Sequence, residues 1–358
     1  MAGDVNNKVE LNQPSAASSV SLPLFTHKPL IFKRNELQFA EANCQRGLTT
    51  AQKCGTVALV GAPNAGKSTL TNALLGQKLT IVSAKPQTTR NSIKAIVIEG
   101  DTQLIILDTP GIFIPRDDKI LERIIVKSAW QGLREANHVC FLIDASLGLN
   151  KQNTQILQDL KKENSDLTII INKIDLLKKS KLLEIIAQLS QMELSNIFMI
   201  SAQSNDGVAY LKKFLCTKCP ASPWIYDEEQ ITDAPMRFIA SEITREKLFA
   251  KLENEIPYSL TVKTDSYEVL RNGEIKIHQT IFIVRDSQKA IILGKRGERI
   301  REVSAEARHD IGDIAGATVH LFLFVKVKAN WMNDSGNYEM MDVEKIPNQK
   351  VNKKISKK

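Results

Sequence analysis

Gly61-Ala62-Pro63-Asn64-Ala65-Gly66-Lys67-Ser68 follows an apolar run at 57–60 and opens a helix-period stretch at 68–75. Strand, glycine-bounded loop and helix, in that order, form the context in which GxxxxGK[ST] cradles phosphates. The glycines let backbone N–H groups converge on phosphate oxygens at the positive end of a helix dipole. Lys67 supplies a point charge to the terminal phosphates, and the Ser68 hydroxyl can ligate Mg²⁺. Thr69 continues the first helical turn beside it. A chance match at this composition is expected roughly 0.01 times per chain, so the loop predicts binding of a nucleoside triphosphate.

Outward from that loop, apolar runs of strand length recur at 57–60, 104–107, 139–143, 167–171 and 197–200, separated by polar segments of helical period. Buried parallel strands crossed by helices have this texture, which predicts a doubly wound, mostly parallel α/β sheet with its ligand at the carboxyl ends of the strands. Asp108-Thr109-Pro110-Gly111 follows the run at 104–107. It places a carboxylate near the metal and the Gly111 amide toward the terminal phosphate. Between these elements lies Gln87-Thr88-Thr89-Arg90, where the Thr89 hydroxyl can complete the Mg²⁺ shell once a terminal phosphate is present. Lys67, Thr89 and Gly111 are therefore the candidate catalytic residues, and Ser68, Thr89 and Asp108 the candidate metal ligands.

Asn172-Lys173-Ile174-Asp175 identifies the base. A carboxylate at Asp175 accepts both the ring N1–H and the exocyclic amine of guanine, whereas adenine leaves it unpaired. Asn172 binds the base edge and neighbouring loops, and the Lys173 stem covers the base face. Ser201-Ala202, after the next strand, presents a backbone amide to the guanine oxygen. The expected ligands are thus GTP and GDP with Mg²⁺.

The chain has 358 residues, 43% of them hydrophobic and 25% charged. Those values exclude a disordered, collagenous or disulfide-framework protein and leave room for two domains. Five cysteines, including Cys216-x-x-Cys219, lack the second pair or nearby histidines that a zinc site needs, and read as reduced thiols. No segment is apolar enough for a membrane span, and Asp4 and Glu10 stand where a signal peptide would be basic. A net charge of +8 suggests a polyanionic partner.

Residues 1–53, rich in Asn, Ser, Gln and Pro, read as a disordered extension, 54–218 as the nucleotide domain, and 219–235, with four acids and no base, as a linker. Residues 236–331 show the order α-β-β-α-α-β, with a hairpin signal at Asn272-Gly273, and 332–358 form a basic tail. Within the second domain Gly294-Lys295-Arg296-Gly297 is weak as a motif but gains weight from its context. Lys289, Lys295, Arg296, Arg299 and Arg301 fall within thirteen residues against one acid, Glu298. A loop of this kind brings backbone close to the phosphates of single-stranded RNA, with basic side chains along the strand.

The four nucleotide motifs in this order resemble the translation-factor class of GTPases. Ile112 stands near the place where Ras-like GTPases keep a water-orienting glutamine, so hydrolysis is arranged differently. Asn64 resembles the asparagine that helps hold K⁺ against the phosphates in potassium-activated members. Together with Pro235-Met-Arg-Phe-Ile-Ala-Ser-Glu-Ile-Thr-Arg-Glu-Lys-Leu, Glu255-Ile-Pro-Tyr-Ser and Val319-His-Leu-Phe-Leu-Phe-Val-Lys-Val-Lys, the chain is similar to the Era family of GTPases over about residues 54–333. The resemblance implies a P-loop GTPase domain followed by a smaller α+β type II KH domain, and GTP hydrolysis. It also implies binding to the 3′ end of small-subunit ribosomal RNA and help in maturing the small ribosomal subunit. It further implies a monomeric cytoplasmic protein, with peripheral contact at the inner face of the cell membrane as another association of the family. A GTPase serving other RNA-processing chemistry, or membrane-associated signalling, is the alternative. The C-terminal domain offers no cysteine nucleophile for such chemistry, its histidines 278, 309 and 320 are isolated, and the chain end shows no lipidation motif.

Overall fold

The computed structural model describes residues 52–331 other than 84, 86, 87, 114, 116–119, 164, 165, 193, 195 and 330. The tail read at 332–358, nearly all of the extension at 1–53, and Gln87 fall outside the described residues. The described residues share one contact-dense unit of the chain.

Six strands build the first sheet: β1 (Lys53–Gly61), β2 (Ile93–Glu99), β3 (Thr102–Asp108), β4 (His138–Asp144), β5 (Leu167–Asn172) and β6 (Asn196–Met199). Their spatial order is β2-β3-β1-β4-β5-β6. β1, β3, β4, β5 and β6 pair in parallel, and β2 runs antiparallel to β3. Every residue of β3, β4 and β5 is buried, as strands covered by helices on both faces must be. The covering helices are α1 (Lys67–Leu75), α2 (Ile120–Arg134), α3 (Lys151–Glu163), α4 (Lys179–Ser190) and α5 (Val208–Thr217). β2 is one strand more than the apolar runs indicate. Its own apolar run is 95–98, and its edge position lets Lys94 reach Asp233 at 3.4 Å.

The segment read as a linker is laid against the sheet. Ile231 is buried and its carbonyl accepts the Ile96 N–H at 2.8 Å. Buried Gln103 accepts the N–H groups of Ile225 and Tyr226 and donates to the Tyr226 carbonyl at 2.7 Å. A side-chain amide thus gives this aperiodic stretch the backbone partners that a strand neighbour would otherwise supply.

The second sheet holds β7 (Leu260–Val269), β8 (Ile275–Ile283) and β9 (Val319–Val327), with β7 antiparallel and β9 parallel to β8. The helices are α6 (Met236–Lys251), α7 (Ser287–Leu293) and α8 (Glu298–Ala315), so the observed order is the expected α-β-β-α-α-β. The β7–β8 hairpin turns at Asn272-Gly273, where the Gly273 N–H donates to the Leu270 carbonyl at 2.9 Å. A buried apolar cluster runs from Val57 and Leu70 through Ile231 to Ile243, Ile277 and Ile311, and therefore joins both sheets. A smaller one joins Leu121, Ile124 and Ile125 of α2 to Trp331 and Phe282. Each fully buried Leu or Ile in these seams contributes on the order of 1.5–3 kcal/mol.

Candidate functional site

The loop between β1 and α1 borders a cleft of about 430 Å³ lined by Pro63, Asn64, Gly66, Lys67, Ser68 and Thr69, with Thr88, Thr89 and Gly111 opposite and Asp144 and Lys173 at one end. Gly66 has φ 95°, and a Cβ there would stand 2.2 Å from Asn172 Nδ2, so conformation and space both demand glycine. Lys67 is buried, and its Nζ donates to the carbonyls of Gly61 at 3.1 Å and Ala62 at 3.0 Å. Burial lowers its pKa to about 8, with Asp108 pulling the other way.

Asp108, at the end of β3, is fully buried, and burial raises its carboxyl to about 6 against the opposing pulls of Ser68 and Lys67. The Ser68 hydroxyl donates to Asp108 Oδ2 at 2.7 Å, and Thr89 Oγ1 lies 2.9 Å from Ser68 Oγ. The three side chains expected to hold Mg²⁺ are thus gathered by direct hydrogen bonds. Asp108 Oδ1 is buried with no hydrogen-bond partner among the described residues. An orphaned carboxylate oxygen beside two hydroxyls is a hard oxygen donor set that fits Mg²⁺.

Beyond Asp108, Thr109 is buried and donates from Oγ1 to the Leu59 carbonyl at 2.6 Å. Gly111 packs against Pro63, 2.8 Å from where a Cβ would stand, and the Ile112 N–H donates to the Gly61 carbonyl at 3.0 Å. The Asp108–Ile112 segment, with Pro110 buried inside it, is thereby braced on the phosphate loop. Ile112 is 4% exposed, so its side chain serves the core and orients no water.

Asn172, 1% exposed at the end of β5, donates from Nδ2 to the Ala65 carbonyl at 2.9 Å and accepts the Ala202 N–H on Oδ1 at 3.0 Å. It ties the phosphate loop to the loop after β6. The Ala202 amide, expected to face the guanine oxygen, is directed at Asn172, and the Ser201 N–H donates to the Asp206 carbonyl at 3.0 Å. Asp175 is exposed on a 3₁₀ turn at Ile174–Leu176. Lys173, with φ 64°, reaches back to Asp144 Oδ2 at 2.6 Å. Burial raises the Asp144 pKa, but the hydrogen bonds from Lys173 and Ser146 outweigh it and hold the carboxylate below its ordinary value. Asp144 carries no motif of its own in the sequence, and only the β4–β5 pairing brings it to Asn172.

In the second domain Gly294 ends α7 with φ 73°, and a Cβ there would stand 2.7 Å from Arg299 Cβ. Arg296 and Gly297 both adopt positive φ, so the backbone makes a tight crossing into α8. Lys289, Lys295 and Arg296 are exposed. Arg299 and Arg301 differ from the expectation of side chains extended along an RNA strand. Arg299 Nη1 donates to the Ile291 carbonyl, while Arg301 reaches the carbonyls of Gly297 at 3.2 Å and Arg296 at 3.1 Å. They cap carbonyls that the tight loop leaves without helical partners, and their charge still adds to the positive field of that face.

Residues 56–173 match the family model described as a 50S ribosome-binding GTPase, and residues 255–332 match the KH domain. GTPase Era of Afipia carboxidovorans is 47% identical over 293 residues, covering 82% of this chain and 94% of that protein. GTPase Era of Brucella suis is 43% identical over 296 residues, covering 82% and 94%. Among solved structures, Era in complex with MgGDPNP and nucleotides 1506–1542 of 16S ribosomal RNA is 35% identical with a TM-score of 0.78, covering 82% of this chain and 99% of that one. Among the described residues no helix is long and apolar enough to cross a membrane.

Proposed function

The chain belongs to the Era family of GTPases, a P-loop GTPase domain followed by a KH domain, and from that premise we propose a GTP-dependent switch that binds the 3′ end of small-subunit ribosomal RNA and assists maturation of the small ribosomal subunit. The observation that carries this reading is the pairing, in one chain, of the cleft at Lys67, Ser68 and Thr89 with the strained, cation-bearing loop Gly294–Gly297.

In the GTPase domain Lys67 exchanges two loop carbonyls for phosphate oxygens, a charge-assisted contact that favours its protonated form. Ser68, Thr89 and Asp108 would hold Mg²⁺, which when bound neutralises charge developing on the phosphates. The Gly111 amide faces the terminal phosphate. Asp175 reads guanine, Asn172 and Lys173 support the base, and the Ser201-Ala202 loop closes over its oxygen. Asn64, exposed at the cleft with φ 63°, would hold K⁺ against the phosphates, as in the potassium-activated GTPases it resembles. Faster turnover in potassium than in sodium buffer is the expected result, and equal rates overturn that role.

In the KH domain Lys289, Lys295 and Arg296 follow RNA phosphates, Gly294 and Gly297 let the backbone approach, and half-exposed Ile291 offers an apolar surface to unpaired bases. GTP engages Thr89 and Gly111, and this repositions the KH domain for RNA. The protein works as a cytoplasmic monomer, with peripheral contact to the inner membrane face as a secondary association.

The test is equilibrium binding of a labelled oligonucleotide of the small-subunit RNA 3′ end against an unrelated single strand of equal length, each with GTP analogue and with GDP. Tighter binding of the ribosomal sequence in the GTP state supports the reading. Equal affinity for both strands refutes it.

A further inference from the structure

Thr89 stands between two residues that are bound to the KH side of the molecule. The Thr88 carbonyl accepts a hydrogen bond from Arg245 Nη2 of α6 at 2.5 Å. The Arg90 guanidinium, 4% exposed, donates to the carbonyls of Leu260 at 2.8 Å and Tyr258 at 3.2 Å. It lies between the rings of Phe249 and Trp331, 5.9 and 5.8 Å from their centroids. Of three consecutive residues, the outer two are anchored on the KH side and the middle one alone turns its hydroxyl to Ser68.

Val82 and Lys85 are held the same way. The Val82 N–H donates to Glu246 Oε1 at 2.8 Å, and Lys85 Nζ donates to the carbonyls of Phe249 and Leu252 at the end of α6. Arg245 itself is 1% exposed and is held by Glu242, to whose Oε1 its Nε donates at 2.9 Å and whose Oε2 its Nη2 also contacts. A guanidinium so buried gains nothing from water if the Thr88 carbonyl moves away, so withdrawal of Thr89 from the metal site carries an electrostatic cost on α6.

We propose that Arg245 of the KH side is a positioning residue for GTP hydrolysis, holding the Thr88 carbonyl so that the Thr89 hydroxyl is presented at the metal site. The KH domain then forms part of the GTPase centre, and α6 and the nucleotide act on one shared contact. By linkage, whatever the γ-phosphate gains from an ordered Thr89 is returned as preference for the α6 position that lets Arg245 reach Thr88. The proposal rests on the reading of Thr89 as a metal ligand.

The experiment uses the full chain. Because Arg245→Met alone strands the buried Glu242 carboxylate, the double change Arg245→Met with Glu242→Leu removes the whole ion pair, a replacement that need not destabilise. Arg245→Lys keeps one donor and is the conservative variant. The expected result for the double change is a 10- to 100-fold fall in kcat, a higher Mg²⁺ concentration for half-maximal turnover, and GDP affinity within twofold of the parent. Arg245→Lys recovers much of the rate. In a Thr89→Ala background the double change costs nothing further, as two residues acting through one hydroxyl must. Unchanged kcat and Mg²⁺ dependence in the double variant, or equal losses for GTP and GDP, overturn the proposal. Full activity of Thr89→Ala by itself overturns the underlying metal-ligand reading instead, so the two failures are distinguishable.

Discussion

Replacing Asn172 by alanine removes one side chain and strands two backbone groups at once. Its Nδ2 and Oδ1 satisfy the Ala65 carbonyl and the Ala202 N–H at 2.9 and 3.0 Å, and Ala65 and Ala202 are 1% and 5% exposed. A buried polar group left unsatisfied costs about 1–3 kcal/mol, so two give roughly 2–6 kcal/mol. The cleft adjoins Gly66, and water entering from it recovers part of that, which favours the lower half of the range. With an m-value of about 3 kcal/mol/M, the urea midpoint of the nucleotide-free protein should fall by roughly 1 M at unchanged slope. Because the bridge joins the phosphate loop to the base loop and touches nothing peculiar to a terminal phosphate, GTP and GDP affinities should fall by the same factor. A stopped-flow or anisotropy titration with labelled GTP and GDP measures both, and saturating turnover should stay within a few-fold of the parent. Selective loss of GTP with GDP retained, or a midpoint moved by less than about 0.3 M, would refute the bridging argument.

Asp175→Asn should shift preference from GTP toward xanthosine triphosphate, and competition binding that shows unchanged GTP selectivity removes the base-reading assignment. Exchanging Lys295 and Arg296 together for Asp should abolish RNA binding while GTP turnover stays nearly intact; retained affinity would discard the loop as the RNA contact. His138, buried with Nε2 2.8 Å from Thr168 Oγ1, has its pKa lowered by burial, which Asp166 only partly opposes. The unfolded chain therefore binds a proton near pH 6.5 that the folded protein refuses, and this histidine makes stability decline as pH falls below about 6.5. The thermal midpoint of His138→Gln should depend less on pH between 7 and 5 than that of the parent, and identical slopes would contradict that account.

Short-range spacing carried most of what could be read before the fold was seen. The phosphate loop, Asp108-Thr109-Pro110-Gly111 and Asn172-Lys173-Ile174-Asp175 are each contiguous, and their chemistry resides in neighbours along the chain. The hairpin at Asn272-Gly273 was legible for the same reason. What the sequence hid depends on distant partners. The antiparallel edge position of β2, and with it the pairing of Lys94 with Asp233, is set by β3 and by a segment far along the chain. Arg245 and Arg90 look like ordinary helix and loop cations, and only the packing of α6 reveals that both are buried. Arg299 and Arg301 erred in the opposite sense, because charge near a loop does not say whether a guanidinium faces outward or caps the loop's own carbonyls.

The Arg90 slot also has a consequence in time. Arg90 meets the Leu260 carbonyl across 170 residues of sequence. At about 5–20 residues per second of synthesis, those residues take on the order of ten to thirty seconds to emerge. Through that interval the Arg90 side of the loop beside the phosphate loop has nothing to rest on. A partly made molecule is therefore kept from acting as a finished switch by the direction of translation itself.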